Sequence, residues 1–204
     1  MILGGDDYFE CPVCNTFVSR PFLLSGNTFK ARLYSDGKKD APMLPEFPAI
    51  TKCPNCYHIY WLNANTKCEK QNSEQIPNAE FLSAFDLQRA IDEGLASNRE
   101  NDIYLRQRIL WTINDRFRYG FSLFNDYETR VLWDSNQLRL LAILDENQLN
   151  EKILIAEICR NMGAFSKSRD LISSIEHNDL DWVKAAFIEN IDKRNKNVFE
   201  IKLL

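Results

Sequence analysis

"CPVC" at residues 11–14 and "CPNC" at residues 53–56 are one four-residue word written twice, with 38 residues between. Each puts two thiols on a tight turn, and proline after the first cysteine fixes the backbone angle as the turn begins. Zinc takes four soft ligands in a tetrahedron, and two such turns complete that shell with no position open to water or substrate. A thioredoxin-like redox pair would instead need one C-x-x-C opening a helix, which does not account for a duplicated Cys-Pro-x-Cys. Cys11, Cys14, Cys53 and Cys56 are therefore read as metal ligands, Zn2+ as the cofactor and its role as structural. Asn15 and Tyr57 follow the two pairs, where zinc-ribbon turns often carry glycine in a left-handed conformation; asparagine adopts it readily and tyrosine poorly. His58 is read as a strand residue beside the site, Cys159 as a small core residue and Cys68 as incidental.

Between the pairs, "NTFKARLY" (27–34) alternates Phe29, Ala31 and Leu33 with Lys30, Arg32 and Tyr34, the pattern of a half-buried strand. Turn formers bracket it: "SGN" before, and "SDG" (35–37) after. A β-meander growing out of the zinc site is expected, with a further strand in "YHIYWL" (57–62). "APMLPEFPAI" (41–50) holds Pro42, Pro45 and Pro48 and reads as an extended segment that either wraps the helical half as a packing strap or presents a surface to a partner, the strap being the favoured reading. Ser25, Asn27, Ser35, Asp36 and Lys38 form a polar set near the two turns, which either lines a small-ligand pocket or is polar for turn geometry alone.

A polar linker at 63–80 leads into a helical pattern, with helices expected near 79–94, 100–118, 126–145, 148–162, 164–176 and 180–194. Short connections make successive helices neighbours. In the third, Val131, Leu132, Leu138, Leu141 and Leu144 are expected to be buried. In "ILIAEICRNMGAFSKSRDLISSI" (153–175), Gly163 closes one helix and Ser168 is small enough to let the next approach closely. "NVFEIKLL" (197–204) alternates, and is expected to form a short strand joining the N-terminal sheet.

That 153–175 stretch resembles one tetratricopeptide repeat, with Ile155, Ala156, Gly163, Phe165 and Ser168 at matching positions and Lys152 and Ile175 departing from the pattern. With the N-terminal cysteine pairs, the chain also resembles uncharacterised bacterial proteins that join a zinc-ribbon head to tetratricopeptide-like helices; "LLSGNTFKARLYSDGK" (23–38) and "APMLPEFP" (41–48) are similar to segments recurring in them. The resemblance implies architecture, and a metal role for Cys11, Cys14, Cys53 and Cys56. The expected fold is α+β: a zinc-ribbon-like β domain over 1–76 and an α-helical, tetratricopeptide-like hairpin array over 77–204.

The net charge of -4 lies in the second half, since residues 1–76 carry eight basic and eight acidic side chains. A nucleic-acid binder usually shows a basic excess, which is missing overall. "MILGGDDYFE" (1–10) carries no signal-peptide pattern and no apolar run is of membrane-spanning length, so a soluble cytoplasmic protein is expected, with no membrane partner. His58 and His177 are the only histidines, and no phosphate loop, G-x-S-x-G or H-E-x-x-H occurs, which points away from catalysis. In the second helix Arg106, Arg108, Arg116 and Arg118 alternate with Tyr104, Trp111 and Phe117, a pattern read as a salt-bridged surface. The leading expectation is a non-catalytic protein-interaction module binding a protein or peptide partner. One alternative is nucleic-acid binding through Lys30, Arg32, Lys38 and Lys39; another is a small-molecule or enzymatic site at Ser25, Asn27 and Asp36.

Overall fold

The computed structural model describes residues 1–69 and 76–202. Its strands are β1 (Ile2–Glu10), β2 (Phe17–Ser25), β3 (Arg32–Tyr34), β4 (Lys39–Asp40), β5 (Ile50–Lys52), β6 (Ile59–Trp61) and β7 (Lys67–Cys68). The helices follow as α1 (Ala84–Asp92), α2 (Arg99–Arg118), α3 (Tyr127–Ile143), α4 (Leu149–Asn161), α5 (Phe165–Ser173) and α6 (Asp181–Asp192), and β8 (Glu200–Ile201) comes last. Small antiparallel sheets thus precede a helical region, an α+β arrangement. Residues 70–75 of the expected linker lie outside the described residues, and β7 occupies part of the remainder.

The chain forms two compact units that do not follow the 76/77 boundary: Met1–Ala31 with Ala41–Leu95, and Arg32–Asp40 with Ala96–Leu204. In the first, β2, β1 and β7 form one sheet and β5 pairs with β6. Phe9, Val18, Tyr60 and Leu62 fill its core beside Cys11 and Cys53. A Cβ at Gly4 would meet the Phe22 ring at 2.1 Å, so the hairpin needs hydrogen there. Helix α1 belongs to this unit: Ser83 caps it by accepting from the Asp86 N–H, and Lys52 reaches Asp86 at 2.7 Å. Trp61 Nε1 donates to the Leu95 carbonyl at 3.1 Å.

"NTFKARLY" is strand only over its last three residues. Asn27 Oδ1 accepts from the Phe29 N–H and Lys30 stands at φ 59°, so the chain turns where alternation predicted extension, leaving Phe29 exposed.

In the second unit β3 pairs with β4 on one side and with β8 on the other, Leu33 opposite Ile201. Of the strand expected at 197–204, Glu200–Ile201 form β8 and residues 203–204 lie outside the described residues; β8 joins the insert rather than the sheet of the cysteine hairpins. Ile155, Ala156, Ile172, Val183, Phe187 and Ile201 lie in its core. Gly163, at φ 85°, ends α4 as the sequence suggested. Ser168 is fully buried, and its hydroxyl donates to the Ala156 carbonyl at 2.7 Å across the α4–α5 contact. Ser168→Ala should cost about 1 kcal/mol for the lost bond, and Ser168→Leu about 1–3 kcal/mol more through overpacking. Urea midpoints of the two variants at unchanged slope check this.

Helix α3 buries Leu132 as expected, and Leu141 and Leu144 in part, but leaves two of the expected residues exposed. Val131 is 47% exposed and Leu138 56%, while Leu132, Trp133, Asn136, Gln137 and Leu140 are buried. Two amides sit in the buried stripe, Asn136 donating to the Arg106 carbonyl at 3.0 Å, and their polarity hid that face from a reading by hydrophobicity.

Candidate metal centre and a buried polar turn

Each Cys-Pro-x-Cys closes a β-hairpin. Residues 11–16 join β1 to β2 and residues 53–58 join β5 to β6. The two turns repeat one another: Cys11 N–H donates to the Thr16 carbonyl at 2.9 Å and Cys53 N–H to the His58 carbonyl at 2.8 Å. Asn15 N–H returns to the Cys11 carbonyl and Tyr57 N–H to the Cys53 carbonyl, both at 3.0 Å. Asn15 and Tyr57 stand at φ 58° and 60°, so tyrosine takes the left-handed conformation despite its side chain.

The hairpins bring the Sγ atoms of Cys11, Cys14, Cys53 and Cys56 within 4.8 Å of one another. Cys11 and Cys56 lie 3.6 Å apart and Cys14 and Cys53 3.5 Å. A tetrahedron with metal–sulfur bonds of about 2.3 Å has edges of about 3.8 Å, so the donor set fits an ion at its centre. His58 stays outside this cluster, its ring stacked 6.4 Å from that of Tyr60. Thr16, through its hydroxyl and then its backbone N–H, brings the Cys14 thiol down to about 5. For Cys56 the His58 N–H pulls the other way, but burial and the neighbouring sulfurs together push it up to about 12. Burial pushes Cys11 up as well. Four sulfurs this close shed their protons together only when a cation balances the charge, which ties metal uptake to proton release.

The second site is the turn at 35–38. Asp36 is fully buried; its carboxylate accepts from Asn114 Nδ2 at 2.7 Å, from the Arg118 guanidinium and from the Lys38 N–H at 3.2 Å. Trp111 Nε1 donates to its carbonyl at 2.9 Å. Lys38 and Arg118 both pair with Asp115, at 2.6 and 2.7 Å, and Arg118 lies over the Tyr34 ring. Ser35 Oγ donates to Glu157 at 3.0 Å, and Glu157 pairs with Arg160 at 2.7 Å, both fully buried. Burial pushes the Glu157 carboxyl up against the pull of Arg160, which also donates to the Asn195 and Asn197 carbonyls.

The expected polar set is divided: Ser25 and Asn27 are exposed in the first unit, whereas Ser35, Asp36 and Lys38 belong to the second. Of the cations proposed for nucleic acid, Arg32 pairs with Asp40 and Lys38 with Asp115. In α2, Arg106 pairs with Asp102 and Arg118 with Asp36 and Asp115, so these two are salt-bridged as read, but Arg118 is buried rather than on the surface. The partners of Asp36 and Ser35 were missed. One signal was available, since Glu157 and Arg160 stand three residues apart inside the apolar run of α4. No helix among the described residues is long and apolar enough to cross a membrane. The chain matches no protein-family model, no curated protein and no solved structure, so its architecture rests on the geometry of its own two units.

Proposed function

We propose that this chain is a non-catalytic protein-interaction module of the reducing cytoplasm: a Zn2+ ion at Cys11, Cys14, Cys53 and Cys56 staples the first unit, and the helical unit, read as a tetratricopeptide-like array, takes a protein or peptide partner. Zinc is favoured among metals because four thiolates in a tetrahedron suit it, and four protein ligands leave no catalytic position.

The observation that carries the reading is an apolar surface on the α2–α3 connection. Tyr119 is 70% exposed, Phe121 63% and Tyr127 79%. Val131 and Leu138 continue from Tyr127 along one side of α3, four and eleven residues further on, and are exposed too. Exposed aromatics so concentrated in sequence mark contact surfaces more than solvated ones. The alternative of nucleic-acid binding is less well supported, because two of its four cations are held in ion pairs.

A photo-crosslinking residue at Phe121 or Tyr127 should trap a discrete protein partner in living cells, whereas the same residue at exposed Lys193 should not. The adducts should form equally at low and high salt. Equal trapping at all three positions, or adducts that nuclease removes, would refute the interaction surface.

A further inference from the structure

The second unit carries a cavity of about 500 Å³, within the range of small-molecule sites. Its construction follows from register. Leu33 is opposite Lys39 on β4 and opposite Ile201 on β8, so the three side chains stand in a row on one face of that sheet and line the cavity. Gln107 and Trp111, one turn apart on α2, and Asn150 and Leu154, one turn apart on α4, supply two walls. Trp182 and Val183 at the start of α6 supply a third.

The chemistry of this lining is selective. Both indole N–H groups are already committed, Trp111 to the Asp36 carbonyl and Trp182 to the Asp179 carbonyl, so what the tryptophans offer a guest is apolar ring surface. Arg108 lies over the Trp111 ring 5.5 Å from its centroid. The Gln107 and Asn150 amides and the Lys39 ammonium make no side-chain hydrogen bond or ion pair among the described residues, although each lines the cavity. Asn150 lies in the first turn of α4, whose own acidic residue, Glu151, is paired with Arg99 and accepts from the Asp145 N–H at 2.6 Å. The acidic groups close by are spoken for. Asp36 is held by Asn114 and Arg118, and Asp181 pairs with Lys184 at 2.6 Å, while Glu200 is not among the residues that line the cavity.

We infer that this cavity is a binding site for a planar aromatic carboxylate, its ring against Trp111 and Trp182, its carboxylate at Lys39, and its edge met by the Gln107 and Asn150 amides. Neutral aromatic compounds lose the charge contact, and aliphatic acids lose the ring contact. The site is independent of the exposed α2–α3 surface, so its failure would leave the interaction reading standing.

The test titrates the purified full-length protein with 2-naphthoate and, separately, with the uncharged 2-naphthylmethanol, following the Trp111 and Trp182 indole N–H signals by NMR. A ligand of that size should bind with a dissociation constant of about 1 mM or tighter, shifting both indole signals together. Lys39 is exposed and free of structural pairing, so Lys39→Gln should fold normally and weaken 2-naphthoate about threefold or more while leaving 2-naphthylmethanol unchanged. Gln107→Trp should abolish the shifts by filling the cavity. The proposal is overturned if 2-naphthoate leaves the indole signals in place, if the neutral compound binds as tightly, or if Lys39→Gln binds the acid as the parent does.

Discussion

Removal of the proposed Zn2+ is expected to unfold the first unit while α2 to α6 persist. A four-thiolate zinc site is worth on the order of 10–16 kcal/mol apparent at neutral pH, as large as the stability of a whole domain. The apolar core beside it is small, and Cys11 and Cys53 are themselves part of it. Without the ion, four buried or half-buried sulfurs lose the charge that holds them within 4.8 Å. Chelation, or Cys11→Ser with Cys53→Ser, should therefore abolish hydrogen-exchange protection in β1, β2, β5 and β6. The circular dichroism of the helices should lose only the small share that the nine residues of α1 supply. The sign of the pH effect is fixed: thiols must ionise to bind, so affinity falls as pH falls and chelators compete better in acid. Loss of protection in α2 and α4 to the same extent and at the same chelator concentration would show one cooperative body and defeat the expectation.

The second large effect concerns Arg118. Its side chain is 4% exposed and that of Asp36 is wholly buried, so Arg118→Met leaves a carboxylate inside the unit with Asn114 as its remaining side-chain donor. Breaking a buried pair from one side costs about 3–5 kcal/mol, a large share of the 5–15 kcal/mol that holds a domain together. The double variant Asp36→Asn with Arg118→Met removes both charges and should recover a good part of that loss. Equilibrium urea unfolding of the parent, the two singles and the double measures the coupling. If the double is no more stable than Arg118→Met alone, the ion pair is not what makes the single variant unstable.

The cysteine cluster and the helices were legible because their signals are local. A repeated Cys-Pro-x-Cys carries its geometry within four residues, and the stops at Gly120 and Gly163 lie beside the helices they end. The long hairpin of β1 and β2 was not legible, since Gly4, Gly5, Asp6 and Asp7 all disfavour strands; Gly5 stands at φ 115° where the register shifts. Turn chemistry identified Ser35-Asp36-Gly37, but nothing near it in sequence says that its buried partners stand 78 and 82 residues away on α2. Part of the α3 face was misread for the opposite reason, because Asn136 and Gln137 look like surface residues until Arg106 offers one of them a carbonyl.

The pairing of Leu33 with Ile201 sets a timetable for the nascent chain. Translated at about 5–20 residues per second, the segment around Ser35 leaves the ribosome on the order of ten seconds before Phe199, whose N–H and carbonyl both bond to it. During that interval the cysteine hairpins on either side can already have closed on the proposed Zn2+, presenting residues 32–40 as a tethered loop of fixed ends. Closure of the hairpins leaves the span from Ser35 to Phe199 at its full length, so this contact should form only after the C-terminal segment has emerged.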